Sequence, residues 1–231
     1  MDKEIFKSCL EKLKIDINEE QINKFEIYSK LLCEWNEKMN LTAVTDPKGI
    51  AIRHFADSLS PILCVDFPKN AKVIDVGTGA GFPGLPIKII RPDIHITLMD
   101  SLNKRINFLK EVTEKAKIKD ADCIHARAEE FSRKEEYREK YDIGISRAVA
   151  RLNVLSEYVL PFIKCGGYFA SMKAFEIDEE VNEAKEIIGL LGGKIEEIKE
   201  IDIPYEEARR KIIIIKKIKN TDKKYPRRKI K

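Results

Sequence analysis

Val73-Ile74-Asp75-Val76 runs directly into Gly77-Thr78-Gly79-Ala80-Gly81-Phe82-Pro83-Gly84 and then into the helix-compatible Leu85 to Ile90, and this stretch decides the fold. Apolar, β-branched residues broken at once by alternating glycines are how a buried parallel strand turns into a helix. The turn reads as a cofactor-binding loop.

The spacing separates two cofactor families. A dinucleotide loop follows G-x-G-x-x-G, because its third glycine lets the helix pack on the strand. Here Phe82 stands at that third position. The chain instead reads Asp75-x-Gly77-x-Gly79-x-Gly81, a form that resembles S-adenosylmethionine (SAM) enzymes of the Rossmann-like methyltransferase class. SAM has no phosphate, but its cationic amino group and sulfonium suit a carboxylate near the strand end. Asp100 ends a second strand, His95 to Asp100, at the distance expected of the acid that binds both ribose hydroxyls. The plain alternative is a tight turn without a ligand.

At 231 residues, 43% apolar and 35% charged, the chain matches one larger soluble domain, or one domain with an appendage. No apolar run is long enough to span a bilayer, and Met1-Asp2-Lys3-Glu4 is no signal peptide, so a cytoplasmic protein is expected. Cys9, Cys33, Cys64, Cys123 and Cys165 are scattered without a C-x-x-C pair, and His54, His95 and His125 lack ligand spacing. No metal is expected. Residues 209–231 hold 12 Lys and Arg against the single Asp222, while the whole chain is only +4. That terminus suggests a polyanionic partner, although charge alone leaves a solvated tail equally open.

The first seventy residues read as helical. Ile5, Phe6, Cys9, Leu10 and Leu13 form one short apolar face; Asn18 with Gln21 caps a longer helix striped by Ile22, Phe25, Tyr28, Leu32, Trp35 and Met39. Trp35 reads as core rather than as a base-stacking platform. Asp46-Pro47 caps a third helix, whose polar face displays Arg53, His54 and Asp57, either as solvent surface or at the mouth of a site.

From Lys72 strands and helices alternate, predicting a parallel sheet covered on both faces. Strands are expected at Val73–Val76, His95–Asp100, Ala121–His125, Tyr141–Ser146 and Tyr168–Lys173, followed by an antiparallel pair at Ile195–Ile203 and Arg210–Ile218. Ala128 and Glu129 follow the third strand, where this fold meets adenine. A helix is expected from strand four to about Lys164, with Arg151 one turn beyond Arg147.

Ser146-Arg147-Ala148 occupies the slot where exocyclic-amine methyltransferases carry Asn/Asp-Pro-Pro-aromatic, and no Pro-Cys nucleophile is present. Arginines without an evident base favour an acceptor that already has a free lone pair, such as guanine N7. Arg147 is equally readable as an ion-pair partner of Asp75 or Asp100, since an arginine beside a cationic cofactor needs compensation.

Asn40-Leu41-Thr42, His54-Phe55-Ala56-Asp57-Ser58-Leu59, the glycine segment through Phe82-Pro83-Gly84, Ala128-Glu129, Ser146-Arg147-Ala148 and Lys224-Tyr225-Pro226-Arg227 together resemble the bacterial 16S ribosomal RNA guanine-N7 methyltransferases called RsmG, formerly glucose-inhibited division protein B. The resemblance spans nearly the whole chain. It implies an α/β, Rossmann-like SAM-dependent methyltransferase fold with a mostly parallel seven-stranded sheet, an antiparallel last strand and an N-terminal helical extension. The expected division is residues 1–70 as extension, 71–219 as methyltransferase domain and 220–231 as basic tail.

The implied activity is methyl transfer from SAM to N7 of one guanine in the 530 loop of 16S ribosomal RNA, leaving S-adenosyl-L-homocysteine. Expected cofactor contacts are Asp75, Gly77, Gly79, Gly81, Phe82, Asp100, Ser101, Leu102, Ala128, Glu129 and Arg147, with Arg147 also the catalytic candidate. Expected RNA contacts are Arg53, His54, Arg151, Lys223, Lys224, Arg227 and Arg228. The expected partner is 16S ribosomal RNA or the small ribosomal subunit, met by a monomer, with no membrane. The ending Arg227-Arg228-Lys229-Ile230-Lys231 departs from the Gly-Thr-Pro-like terminus of relatives. Competing readings are a SAM methyltransferase of a small molecule, a nucleotide-dependent oxidoreductase, which Phe82 disfavours, and a non-catalytic RNA-binding module.

Overall fold

A computed structural model describes residues 1–174, 176–207 and 209–227. Helix α1 (Lys3–Lys12) starts where the Asp2 carboxylate accepts from Ile5 N, and α2 (Glu19–Met39) opens on the reciprocal Asn18–Gln21 capping box. Asp46 then caps the short α3 (Pro47–Gly49), which continues as a π-helix over Ile50–Ala56. That wider turn departs from the regular helix read from the sequence. His54 and Asp57 are buried, so their side of the segment is not the solvent face that a 3.6-residue period allows.

The alternating region comprises β1 (Lys72–Val76), α4 (Gly84–Ile90), β2 (His95–Asp100), α5 (Asn103–Lys115), β3 (Ala121–His125), α6 (Ala128–Phe131), β4 (Tyr141–Arg147), α7 (Leu152–Val159), β5 (Ile163–Lys173), α8 (Asp178–Leu190), β6 (Gly193–Asp202) and β7 (Arg209–Lys217). The seven strands lie in the order β3-β2-β1-β4-β5-β7-β6. Strands β1 to β5 pair in parallel, and β7 runs antiparallel to both β5 and β6. The order reverses between β1 and β4, so their carboxyl ends open the crevice where ligands of such sheets bind.

One difference concerns the passage from β4 to β5. The helix expected to reach Lys164 stops at Val159, because Pro161 has no N–H to continue it and lies within a 3-10 turn over Leu160–Phe162, and β5 already starts at Ile163. Gly166 and Gly167 therefore lie inside the strand, Gly166 with φ +87°. A second difference is that Arg147 and Arg151 are not one helical turn apart: Arg147 ends β4 and Arg151 is the N-cap of α7.

Two cores cover the sheet. On one face the helices before β1 share a core with α4 and α5, through Phe6, Phe25 and Phe55, whose ring centroids lie 4.7 to 5.8 Å apart. Trp35 packs edge-on against Phe108 at 5.8 Å and donates Nε1–H to Glu111 Oε2. The Tyr28 hydroxyl donates to the Ala80 carbonyl, tying α2 to the glycine loop. On the other face α6, α7 and α8 cover Ile74, Phe169, Ile213 and Ile215.

The described part of the basic terminus folds back onto the body. Arg138 donates to the carbonyls of Thr221 at 2.9 Å, Asp222 at 3.1 Å and Tyr225 at 3.1 Å. Thr221 and Tyr225 are buried.

Candidate active site

The glycine loop bends between β1 and α4, and Asp75 braces it from beneath. Its Oδ2 accepts from Thr78 Oγ1 at 2.7 Å and Gly84 N at 2.8 Å, while the buried Oδ1 has no partner among the described residues. Burial pushes this carboxyl up to about 7, against the pull of those two hydrogen bonds. Asp100 fastens the front of the loop: Oδ2 accepts from Gly79 N at 2.9 Å and Arg105 Nη1 at 3.2 Å, and Oδ1 from Leu102 N at 2.9 Å.

A first cavity opens above this loop, lined among others by Gly77, Asp100, Ser101, Ala128, Glu129 and Tyr158. At Gly79 a Cβ would meet nothing within 4 Å, so the positive φ of +61°, rather than any close contact, is what calls for glycine there. At Gly77, with φ +73°, a Cβ would stand 2.6 Å from Val149 Cγ2, itself on the cavity wall. Of the other expected cofactor residues, Asp75 and Phe82 are buried behind the loop. Gly81 abuts Tyr28, Leu102 is exposed, and Arg147 lines a different cavity.

That second cavity, about 500 Å³, lies at the ends of β4 and β5 against the π-helical segment. Arg147 Nη1 donates to Asp57 Oδ2 at 3.0 Å and to the Arg53 carbonyl at 3.1 Å, and Arg210 Nε reaches Asp57 Oδ1 at 2.8 Å. Arg147 is thus both an ion-pair partner and a cavity wall, and its partner is Asp57 rather than Asp75 or Asp100. The guanidinium carbon also lies 4.9 Å from the centroid of Phe82. On that ring the His54 imidazole stacks at 4.6 Å and 16°. His54 Nε2 lies 2.7 Å from Thr42 Oγ1, whereas Nδ1 is buried without a partner among the described residues. Burial, then the Arg147 charge, pushes this imidazole down to about 4.

Sequence reasoning missed Lys173, Glu180 and Arg210 on this cavity. Lys173 Nζ bonds Glu180 Oε1 at 2.6 Å and the Ala150 carbonyl at 2.7 Å, and Leu152 N also donates to Glu180 Oε1. The available signal was positional, since Lys173 ends β5 where ligands of this fold gather.

The expected RNA residues fall into separate groups. Arg53 and His54 line the second cavity, Arg53 also pairing with Glu206 at 2.7 Å. Arg151 pairs with Glu183 at 2.7 Å, away from Arg147. Lys223 borders a cleft with Arg133 and Arg138, Lys224 is exposed, and Arg227 grips the fully buried Glu157 at 2.8 Å. Arg228 lies outside the described residues. Among the described residues no group of three His, Cys, Asp or Glu is placed to hold a metal ion, and no helix is long and apolar enough to cross a membrane.

The profile of a family described as "GidB: rRNA small subunit methyltransferase G" matches residues 21–213. Two relatives, both called ribosomal RNA small subunit methyltransferase G, come from Desulforamulus reducens (51% identical, 96% of this chain, 92% of that protein) and Alkaliphilus oremlandii (50%, 98% and 95%). A solved SAM-dependent methyltransferase from Aquifex aeolicus superposes with TM-score 0.56 over 76% of this chain and 96% of its own, at 18% identity. That last similarity carries the fold.

Proposed function

The chain belongs to the rRNA small subunit methyltransferase G family, and from that premise we propose that it methylates N7 of one guanine in the 530 loop of 16S ribosomal RNA. S-adenosyl-L-methionine is its methyl donor, supplying an electrophilic methyl group on a sulfonium. The first cavity fits that cofactor: Gly77, Ser101 and Ala128 line it at the carboxyl ends of β1, β2 and β3, and Asp100 and Glu129 place two carboxylates on the same wall. Asp75 supports the loop rather than the ligand, and Phe82 acts through His54 and Arg147.

The observation that carries the acceptor reading is the division of the site by residues 147–149. Val149 faces the first cavity, whereas Arg147 and Ala148 face the second. Arg147, Ala148 and Val149 are consecutive, so the two cavities adjoin at this segment, and in-line transfer requires the methyl group and N7 to meet past its edge rather than through it. Guanine N7 carries a free lone pair and needs alignment rather than a base. Of the groups beside Arg147, Asp57 is tied by two arginines and His54 is a weak base, so neither is poised to take a proton. A structured loop must splay its guanine out to enter such a pocket. Lys223 and Lys224 then serve the RNA backbone, supplying affinity without sequence information. The protein works as a cytoplasmic monomer in this reading, with residues 1–70 as an extension, 71–219 as the catalytic domain and 220–231 as the RNA-contacting end.

The test is to incubate the protein with methyl-labelled SAM and small ribosomal subunits from cells lacking the modification, then map the label. Label on N7 of one guanine in the 530 loop supports the reading. Cofactor binding without RNA labelling moves the small-molecule reading to the front.

A further inference from the structure

In guanine the Watson–Crick edge adjoins the N7 edge at O6: the N1–H points roughly at right angles to the N7 lone pair, and the N2 amino group farther away still. With N7 turned toward residues 147–149, the N1–H and N2 amino donors face the flank and the far part of the second cavity and need acceptors there. Three carboxylates line that cavity, Asp57, Glu176 and Glu180. Asp57 has each oxygen engaged by an arginine. Glu176 is exposed and has no hydrogen bond or ion pair among the described residues to hold it in place. Glu180 differs from both. Its Oε1 is held by Lys173 Nζ and Leu152 N, which leaves Oε2 with no partner among the described residues. A carboxylate oriented in advance loses little side-chain freedom on binding. Met172 and Ile177 add apolar walls for the base faces.

We infer that Glu180 reads the acceptor guanine, its Oε2 accepting from N1–H and the N2 amino group; the inference rests on the guanine reading above. Adenine presents an acceptor at N1, which the same carboxylate repels, so Glu180 discriminates as well as binds. Because Lys173 and Glu180 also pin Ala150 and Leu152, the test must separate base reading from loop support.

Glu180→Gln makes that separation. It keeps an oxygen for Lys173 and Leu152 and replaces the free oxygen with an NH₂ that faces the donors of the base. Small subunits are reconstituted with guanosine, inosine or 1-methylguanosine at the target position, and kcat/KM is measured for the full-length wild type and variant. Wild type should prefer guanosine over inosine, which lacks the N2 amino group, by at least about tenfold. It should lose 1-methylguanosine almost completely. In Glu180→Gln, kcat/KM on guanosine should fall about ten- to hundredfold, the guanosine-to-inosine ratio should drop to near one, and the SAM Kd should stay unchanged. A general loss of rate with the ratio preserved assigns Glu180 to loop support and overturns the inference. The substrate series on wild type stands even if the variant fails to fold: equal use of all three bases refutes it outright. A wild type that binds SAM yet labels none of the RNAs removes the guanine reading, and this inference falls with it.

Discussion

Replacing Asp57 with alanine leaves two guanidinium groups without the carboxylate they share. Arg147 and Arg210 lie 3.0 and 2.8 Å from its two oxygens, and the Asp57 side chain is only 2% exposed. Removing one partner from a buried ion pair costs about 3–5 kcal/mol, because the charge left behind is neither paired nor hydrated. Here the arginine side chains retain 17% and 31% exposure and recover some water, which puts the loss at the lower end, about 3 kcal/mol. For a chain of this size that lowers Tm by roughly 6–12 °C. Asp57→Asn keeps one acceptor and should lose about half as much. Urea unfolding measures both, with an unchanged slope expected so that the shift in midpoint reports stability. A loss below about 1 kcal/mol for Asp57→Ala, or equal losses for the two variants, refutes the view that this carboxylate holds the two arginines in place.

Two pH trends oppose each other in the cofactor-free protein. His54 is held near 4, below its ordinary 6.5, so its contribution is complete above pH 6.5 and is lost as pH falls toward 4, a swing of up to about 3 kcal/mol. Thermal melts of His54→Asn should therefore lose less stability than wild type across that window; parallel curves would contradict the burial argument. Asp75 acts with the opposite sign. Its carboxyl, raised from 3.8 to about 7, makes the folded state bind more protons than the unfolded one, so its contribution declines as pH rises from about 4 to 7. Asp75→Asn should gain on wild type as pH increases to 8, and a constant difference between them would count against a buried, unpartnered Oδ1. Lys223→Gln with Lys224→Gln should weaken RNA binding and flatten its salt dependence, by up to about 0.9 in log–log slope for each phosphate no longer neutralised. An unchanged slope takes the two lysines out of the RNA interface.

Much of the fold was legible because its signals are local. Strands β2 and β3 match the residues read from their β-branched and apolar runs, and the Asn18–Gln21 cap marks the start of α2. The passage between β4 and β5 was read less well, because Gly166-Gly167 looks like a terminator while the backbone carries it as strand with a positive φ. The candidate site divides in the same manner. Gly77, Asp100, Ala128 and Glu129 sit in or beside one motif each and come together on one cavity as read. The Asp57–Arg210 contact joins residues 153 positions apart, and no periodicity in the chain points from one to the other. Glu180 reads as one acid among Asp178, Glu179 and Glu180 at a helix start, and only packing against Lys173 and Leu152 distinguishes it. Asp75 shows a further limit: its motif names an acid, but the strand's pleat decides that this acid lies beneath the loop.

The most direct test is a crystal structure of the protein with S-adenosyl-L-homocysteine and a short RNA carrying the target guanine. In that complex the adenosyl group should lie between Gly77, Asp100 and Glu129, and the guanine in the cavity of His54, Arg147 and Glu180 with N7 toward Ala148. A nucleoside of the cofactor in the His54 cavity, or a guanine bound outside both cavities, would contradict the two-cavity mechanism.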